Sequence, residues 1–273
     1  MESYFSGKTV VVTGGSSGIG LAFSQLVARA GATVVLAARR KDVLDEARDA
    51  IVAQTRSARV ETLPLDVSAE SDVATRVGEL VKRLPVDVLV NNAGVVMPGR
   101  FLELEGAEFR RMMDVNYFGT VHMCRAVLPQ MVQRRRGHVL NVSSFAGVIG
   151  IYGYTAYAAS KFAIVGFSQC LRAEMWPHGV RVSVCMPPDT DTPQLAFENQ
   201  HKPAETKAIA GNVKTLSAQQ VAHAMAKGLV QNQFEIYCDV GSRFVAATNG
   251  VLPSVIRWTC DNSQRKAAAS RAS

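Results

Sequence analysis

Tyr157 and Lys161 stand four residues apart in a stretch with helical character, residues 156–176, so both side chains share one helix face. A free phenol has a pKa of ~10, too high for easy proton exchange near neutrality. A nearby ammonium favours the phenolate and lowers that value. The pair could therefore supply the proton that a ketone oxygen takes up when its carbon accepts a hydride. Ser144 ends an apolar run at 138–142 and could hydrogen-bond the same oxygen. Taken alone, Tyr-x-x-x-Lys is an ordinary helical pair, so its chemistry depends on what else the chain carries. Tyr154 has Ala158 four residues on and lacks a lysine partner, which makes it pocket lining. Ser143 should face the other way from Ser144 on a strand. His122 and His138 read as structural.

A second group of residues suits a nucleotide. Thr13-Gly14-Gly15-Ser16-Ser17-Gly18-Ile19-Gly20 joins a β-branched run at 9–12 to a helical stretch at 21–30. Glycines in that position let the backbone turn sharply and approach a pyrophosphate, and the helix start offers free N–H groups. Gly14, Ser16, Ser17, Gly18, Ile19 and Gly20 are the candidate contacts. The next strand, 33–37, should end beside the adenosine ribose. A carboxylate there would bind a 2′-hydroxyl, but the chain has Ala38-Arg39-Arg40. With no acid to repel a 2′-phosphate and two guanidinium groups to bind it, Arg39 and Arg40 point to NADPH. The alternative is that they only solvate a loop.

These residues must be held by alternating strands and helices. Strands are expected at 9–12, 33–37, 59–65, 86–90, 138–142, 180–185 and 234–238. Helices are expected at 21–30, 42–54, 68–83 with Ser68 as N-cap, 105–135, 156–176 and 217–229. Gly31 should close the first helix, and Gly137 follows the end of the long one. Residues 187–215 are polar and Pro-containing, without clear periodicity. Apolar strands separated by helices indicate a parallel sheet covered on both faces. The expected fold is α/β: a single doubly wound Rossmann domain over residues 1–262, with a seven-stranded parallel sheet, a substrate loop at about 187–215 and a flexible basic tail at 263–273.

Composition narrows the field. The 273 residues are 48% apolar, enough for a sizeable core. No signal peptide pattern and no apolar run of 18 residues is present, so a cytoplasmic location is expected, with peripheral contact to a membrane left open. Five cysteines, at 124, 170, 185, 238 and 260, show no metal-ligand spacing and read as reduced thiols; no metal is expected. The net charge of +7 is mostly dispersed. Its one tight cluster, Arg134-Arg135-Arg136, sits where a helix should end and complements the helix dipole, so no nucleic-acid partner is expected.

In order and spacing, TGGSSGIG at 13–20, Asp66-Val67, Asn91-Asn92-Ala93-Gly94, Asn116, Ser144 and Tyr157-Ala-Ala-Ser-Lys161 resemble the short-chain dehydrogenase/reductase family over nearly the whole chain. The resemblance implies that Asp66 and Val67 contact adenine. It implies that Asn91 to Gly94 line the cofactor and stabilise the sheet, with Asn92, Ala93 and Gly94 as contacts. It also implies that Lys161 holds the nicotinamide ribose with Tyr157 beside it, and that Asn116 supports a water chain. Pro187-Pro188-Asp189-Thr190-Asp191-Thr192-Pro193 carries Pro where the family commonly has Gly. Thr192 still falls at the place of the nicotinamide-amide partner, with Pro187 and Thr190 beside the cofactor. A dimer or tetramer through the long helices is the assembly the family suggests.

That run, with Glu198-Asn199 and Lys202-Pro203-x-Glu205-Thr206, is similar to the 3-ketodihydrosphingosine reductases, and so is the stretch 155–164. This implies NADPH-dependent reduction of 3-ketosphinganine to sphinganine. Such a substrate has a cationic head and an apolar tail. Asp189, Asp191 or Glu198 could face the head, while Leu195 and Phe197 cover the tail and Tyr154 lines the pocket. Asp189 and Asp191 could equally cap turns. Other readings stay open: reduction of a 3-oxoacyl thioester or steroid, or non-catalytic NADPH binding.

Overall fold

The computed structural model describes residues 1–210, 215–259 and 261–262. A short helix, α1 (Glu2–Phe5), precedes the first strand. Then β1 (Thr9–Thr13), α2 (Gly18–Arg29), β2 (Thr33–Ala38), α3 (Lys41–Gln54), β3 (Arg59–Pro64) and α4 (Glu70–Arg83) alternate. β4 (Val88–Asn91), α5 (Gly106–Met112), α6 (Gly119–Gln133), β5 (Gly137–Val142), α7 (Thr155–Met175) and β6 (Val180–Met186) follow. The chain continues with the two-residue strand β7 (Thr190–Asp191), α8 (Pro193–His201), α9 (Ala204–Ala210), a second short strand β8 (Leu216–Ser217), α10 (Ala218–Val230), β9 (Glu235–Tyr237) and α11 (Val240–Val251).

The main sheet has seven strands in the order β3-β2-β1-β4-β5-β6-β9, all parallel. The strand order reverses between β1 and β4. Crossovers from those two strands leave in opposite directions, which opens a crevice beyond their carboxyl ends. Alternation along β1 shows why both faces need cover. Val10 and Val12 pack with Phe23 and Val27 of α2, Leu44 and Ile51 of α3, and Val221 and Met225 of α10. Val11 packs on the other face with Val73 and Val77 of α4 and Met123 and Val127 of α6.

Three local expectations change. Ser68 does not cap α4: Ala69 holds that place, and the Ser68 hydroxyl turns back to donate to Asp66 Oδ1 at 2.6 Å. The side chain found a carboxylate two residues away before it could reach the helix amides. The stretch 105–135 is not one regular helix, because Met113–Phe118 is wound as a π-helix between α5 and α6. Residues 187–215 are not an irregular loop throughout. Pro193 occupies the first turn of α8, Thr192 accepts from the Leu195 amide as its cap, and β7 pairs with β8. The proposed tail at 263–273 and Cys260 lie outside the described residues.

Several smaller assignments hold. Gly31 closes α2 at φ +83°. Arg134 donates to the Val86 carbonyl and to Asp87 at 2.5 Å, and Arg135 to the Pro177 carbonyl. His138 is 2% exposed between Tyr4 Oη (3.0 Å) and Ser183 Oγ (2.8 Å). His122 Nδ1 lies 3.0 Å from the Val67 carbonyl oxygen. Cys124, Cys170, Cys185 and Cys238 are free thiols.

Candidate active site

At the carboxyl ends of β1 and β4 the turn after β1 is built around an asparagine. Asn92 Nδ2 donates to the carbonyls of Thr13 (3.1 Å) and Gly14 (3.3 Å), and Thr13 Oγ1 accepts from the amides of Asn92 and Ala93 at 3.0 Å. A Cβ on Gly20 would lie 2.3 Å from the Gly14 oxygen and 2.6 Å from Asn92 Nδ2, so only glycine fits. Gly14 adopts φ +64°, in the left-handed region. Ser17 precedes α2 without a side-chain cap. The amides of Gly18, Ile19 and Gly20 at the start of the helix therefore have no intrahelical partner, and they suit an anionic pyrophosphate. This uncapped cradle fits a dinucleotide. Ser16 is half-buried in the same turn, and Arg39 and Arg40 are exposed at the end of β2. Asp66 accepts from Ser68 N at 2.9 Å, and Val67 packs against Gly119.

Next to this cradle opens a cavity of about 240 Å³, lined by Gly14, Ser17, Gly18, Ile19, Asn92, Ala93 and Gly94 on one side. Ser144, Tyr154, Tyr157, Lys161, Pro187, Asp189, Thr190, Thr192 and Leu195 line the rest, with Gln194, Glu198 and Lys202. The residues expected to do chemistry thus meet in one place. β5 carries its chain to Ser144, whose Oγ accepts from the Ala146 amide at 3.1 Å and caps a 3₁₀ turn. The first turns of α7 present Tyr157 and Lys161. The Ser143 hydroxyl donates to the Lys161 carbonyl at 2.8 Å, although the residue also borders the cavity.

Asn116 lies in the π-helix, fully buried. Its Oδ1 accepts from Val95 N at 2.8 Å, and its Nδ2 donates to Val95 O at 3.0 Å and Ser160 Oγ at 2.9 Å. Thr120 donates to the Asn116 carbonyl at 2.8 Å. These bonds anchor the π-turn between β4 and α7. A Cβ on Gly94 would lie 3.3 Å from Asn116 Oδ1 and 3.5 Å from Lys161 Nζ, so all three crowd one corner. A parallel ladder, Asn91 Nδ2 to Asn141 Oδ1 and Asn141 Nδ2 to Ser168 Oγ, both 2.9 Å, ties β4 and β5 to α7.

The electrostatics depart from the expectation at Tyr157. Burial raises its phenol above the ordinary value; the Glu198 carboxylate adds to this, and hydrogen bonds with Ser144 and Gln194 oppose it. The expected depression by Lys161 is not what the structure shows. The ammonium sits 5.6 Å from the ring centroid and donates to the Val142 carbonyl at 3.1 Å, and burial of both groups dominates. Burial brings Lys161 itself down to about 8, against the pull of Glu198.

The wall opposite β5 also differs from the expectation. Phe197 does not cover the cavity. It is 38% exposed and packs its ring 4.3 Å from that of His201, because it faces outward on α8. Asp189 accepts from Lys202 Nζ at 3.1 Å, and Asp191 is exposed. Glu198 is 7% exposed; its Oε2 accepts from Tyr154 Oη at 2.6 Å and its Oε1 from Gln194 Nε2 at 3.1 Å. Burial raises the Glu198 carboxyl pKa. From sequence, Gln194 has no expected role, and Lys202 enters only through the resemblance, without a place in the site. Gln194 lies four residues before Glu198 on the same face of α8, and Lys202 caps that helix four residues after it; this spacing is the signal that could have found them.

Such a site, a dinucleotide cradle joined to a buried Ser–Tyr–Lys cluster on a doubly wound sheet, is that of an oxidoreductase. Residues 8–203 match the short chain dehydrogenase family, and the chain belongs to it. It is 42% identical over 233 residues to a 3-ketodihydrosphingosine reductase of Bos taurus, covering 84% of this chain and 70% of that one. It is 37% identical over 256 residues to a 3-dehydrosphinganine reductase of Arabidopsis thaliana, covering 92% and 76%. A short-chain dehydrogenase from Sphingobium yanoikuyae, solved in complex with NADPH, superposes with a TM-score of 0.78 at 25% identity, covering 92% of this chain and 95% of that one.

Proposed function

We propose that the chain reduces the 3-keto group of 3-ketosphinganine to the hydroxyl of sphinganine, in sphingolipid biosynthesis, with NADPH as the reductant. The observation that carries this is the convergence of Ser144, Tyr157 and Lys161 on a cavity that adjoins the Gly14–Gly20 cradle and has the carboxylates Asp189 and Glu198 in its lining. The 42% identity to 3-ketodihydrosphingosine reductase supports the substrate.

When bound, NADPH supplies the hydride that reduces the carbonyl carbon. Gly14 and the amides of Gly18, Ile19 and Gly20 hold its phosphates, with Ser16, Ser17, Asn92, Ala93 and Gly94 beside them. Arg39 and Arg40 take the 2′-phosphate, and Asp66 and Val67 flank the adenine. Pro187, Thr190 and Thr192 border the nicotinamide end. Ser144 hydrogen-bonds the substrate carbonyl oxygen, and Tyr157 gives it a proton. A raised phenol pKa keeps that proton on Tyr157 until charge develops on the oxygen. Lys161 orients the ribose, and Asn116 holds the corner through which the proton is replaced.

The test is NADPH oxidation with 3-ketosphinganine beside 3-oxoacyl thioesters and a keto steroid. Preferential turnover of 3-ketosphinganine is expected; preferential turnover of a thioester or steroid would replace the substrate assignment and keep the reductase.

A lipid substrate also fits the C-terminal surface. Val240 (85% exposed), Phe244 (71%), Val251 (79%) and Trp258 (66%) are apolar and open on α11 and the helical stretch 253–259 after it. No helix among the described residues is long and apolar enough to cross a membrane. We place this surface in peripheral contact with the cytoplasmic face of the membrane that holds the substrate; co-sedimentation with phospholipid vesicles, lost in Phe244→Glu, checks it. Phe118 and Phe162 are open on the π-turn and α7. They suit a homodimer or tetramer through these helices, which sedimentation analysis would detect.

A further inference from the structure

Two carboxylates, Asp189 and Glu198, face one buried ammonium, Lys202, in the wall of the cavity. Lys202 has a side chain only 2% exposed; its Nζ lies 3.1 Å from Asp189 Oδ2 and 4.0 Å from Glu198 Oε2. The cation is hydrogen-bonded to Asp189. The direct partners of Glu198 are both neutral, the Tyr154 hydroxyl and the Gln194 amide. A carboxylate offers about four acceptor sites. Two are used, and the side chain lines the cavity. The other cation in the wall, Lys161, donates to the Val142 carbonyl beside Asn116 and Gly94, at the cofactor end.

We infer that Glu198, held by Tyr154 and Gln194 and left one cation short by the Lys202–Asp189 pair, is the subsite that binds the substrate's ammonium group and selects amino ketones over neutral ketones.

This inference rests on the assignment of 3-ketosphinganine as substrate, and it names one of the three acids of the segment as the one that reads the amine. Position supports the choice. The Tyr154 ring, whose hydroxyl is bonded to Glu198, lies 5.7 Å from the Tyr157 ring. An ammonium on Glu198 is thus near a carbonyl held at Tyr157, as an amine on the adjacent carbon requires. Asp189 is unsuited because its charge is taken by Lys202, and Asp191 because it is exposed. The nearest cation to Glu198, Lys202, stands 4.0 Å off and donates its hydrogen bond to Asp189; a cationic ligand in this place gains a direct charge-assisted bond that a neutral one cannot make.

The experiment compares kcat/KM for 3-ketosphinganine with that for the same chain lacking the 2-amino group, in wild type, Glu198→Gln, Asp189→Asn and Asp191→Asn. Glutamine keeps the size of the side chain and an acceptor for Tyr154. The wild-type preference for the amine should fall about ten-fold to a hundred-fold in Glu198→Gln. It should fall less in Asp189→Asn, where freed Lys202 can neutralise Glu198, and be unchanged in Asp191→Asn. NADPH affinity, measured by fluorescence titration, reports whether each variant is folded, and Asp189→Asn carries the test if Glu198→Gln is not. Equal wild-type use of both substrates overturns the subsite and leaves the reductase assignment standing. So does a loss in Glu198→Gln that is equal for both, which would mark Glu198 as a support for Tyr154. Absence of wild-type activity on the amino ketone overturns the substrate assignment and the subsite together.

Discussion

Tyr154 donates a 2.6 Å hydrogen bond to the Glu198 carboxylate, and this bond separates the roles of two tyrosines that stand three residues apart. Burial and the adjacent Glu198 charge push the Tyr154 phenol far above its ordinary value, with its proton directed at the carboxylate. The Tyr157 phenol has Ser144 and Gln194 beside it instead, and both act to lower its pKa. Tyr157→Phe should therefore lower reduction by ~10²-fold or more while NADPH still binds. Tyr154→Phe should cost only several-fold, mainly in KM. Steady-state kinetics with both variants checks the order, and the reverse order would move the acid to Tyr154.

Cofactor choice should depend on the end of β2. Arg39 and Arg40 are exposed there, and Ala38 leaves no carboxylate at the strand end. Arg39→Asp replaces attraction for a 2′-phosphate by repulsion and should weaken NADPH far more than NADH. Dissociation constants for the two cofactors decide the matter, and an equal loss would show that the arginines do not read the phosphate.

Lys161 places catalysis against stability. Its folded pKa of about 8 lies below the unfolded value of ~10.4. Between those values the unfolded chain binds the extra proton, so stability from this group rises with pH from about 8 to ~10.4. Below pH 8 the ammonium is charged in both states, and its burial cost is fully felt. Lys161→Met should abolish activity yet stabilise the cofactor-free protein at pH 7 by about 1–3 kcal/mol, an advantage that shrinks towards pH 10. Urea melts at pH 7 and 10 measure it. A destabilised variant at pH 7 would show that the bond to Val142 outweighs burial.

At the opposite end of the sheet, burial, with Arg181 and Lys8 adding to it, lowers the His138 pKa to about 3. An unfolded histidine titrates at ~6.5, so the unfolded state takes up a proton that the folded state refuses. Stability from this residue is present above pH ~6.5 and is lost as pH falls towards 3. His138→Gln should flatten that part of the stability profile, because glutamine keeps polar contacts with Tyr4 and Ser183 but does not titrate. Thermal melts from pH 7 to 4 read the difference in slope, and parallel profiles would exclude His138 as the acid-sensitive group.

Local chemistry made much of the site legible in the chain itself. Gly14 and Gly20 are needed for close backbone approach, and that need shows in their residue type. The β-branched runs between helical stretches imply a parallel sheet before any contact is known, because each strand must be covered on both faces. Tyr157 and Lys161 share a face by spacing alone. Tertiary structure decided what depends on burial and on partners distant in sequence. The separation from Lys161 to Tyr157 is local, but the phenol pKa follows from burial and from Glu198, 41 positions away on α8, and so it rose where spacing alone suggested a fall. The π-turn that seats Asn116 is stabilised by bonds to Val95 and Ser160 on other elements. Phe197 and Glu198 are neighbours in sequence, yet helix geometry turns one outward and the other into the cavity, a division that exists only once residues 193–201 are wound into a helix.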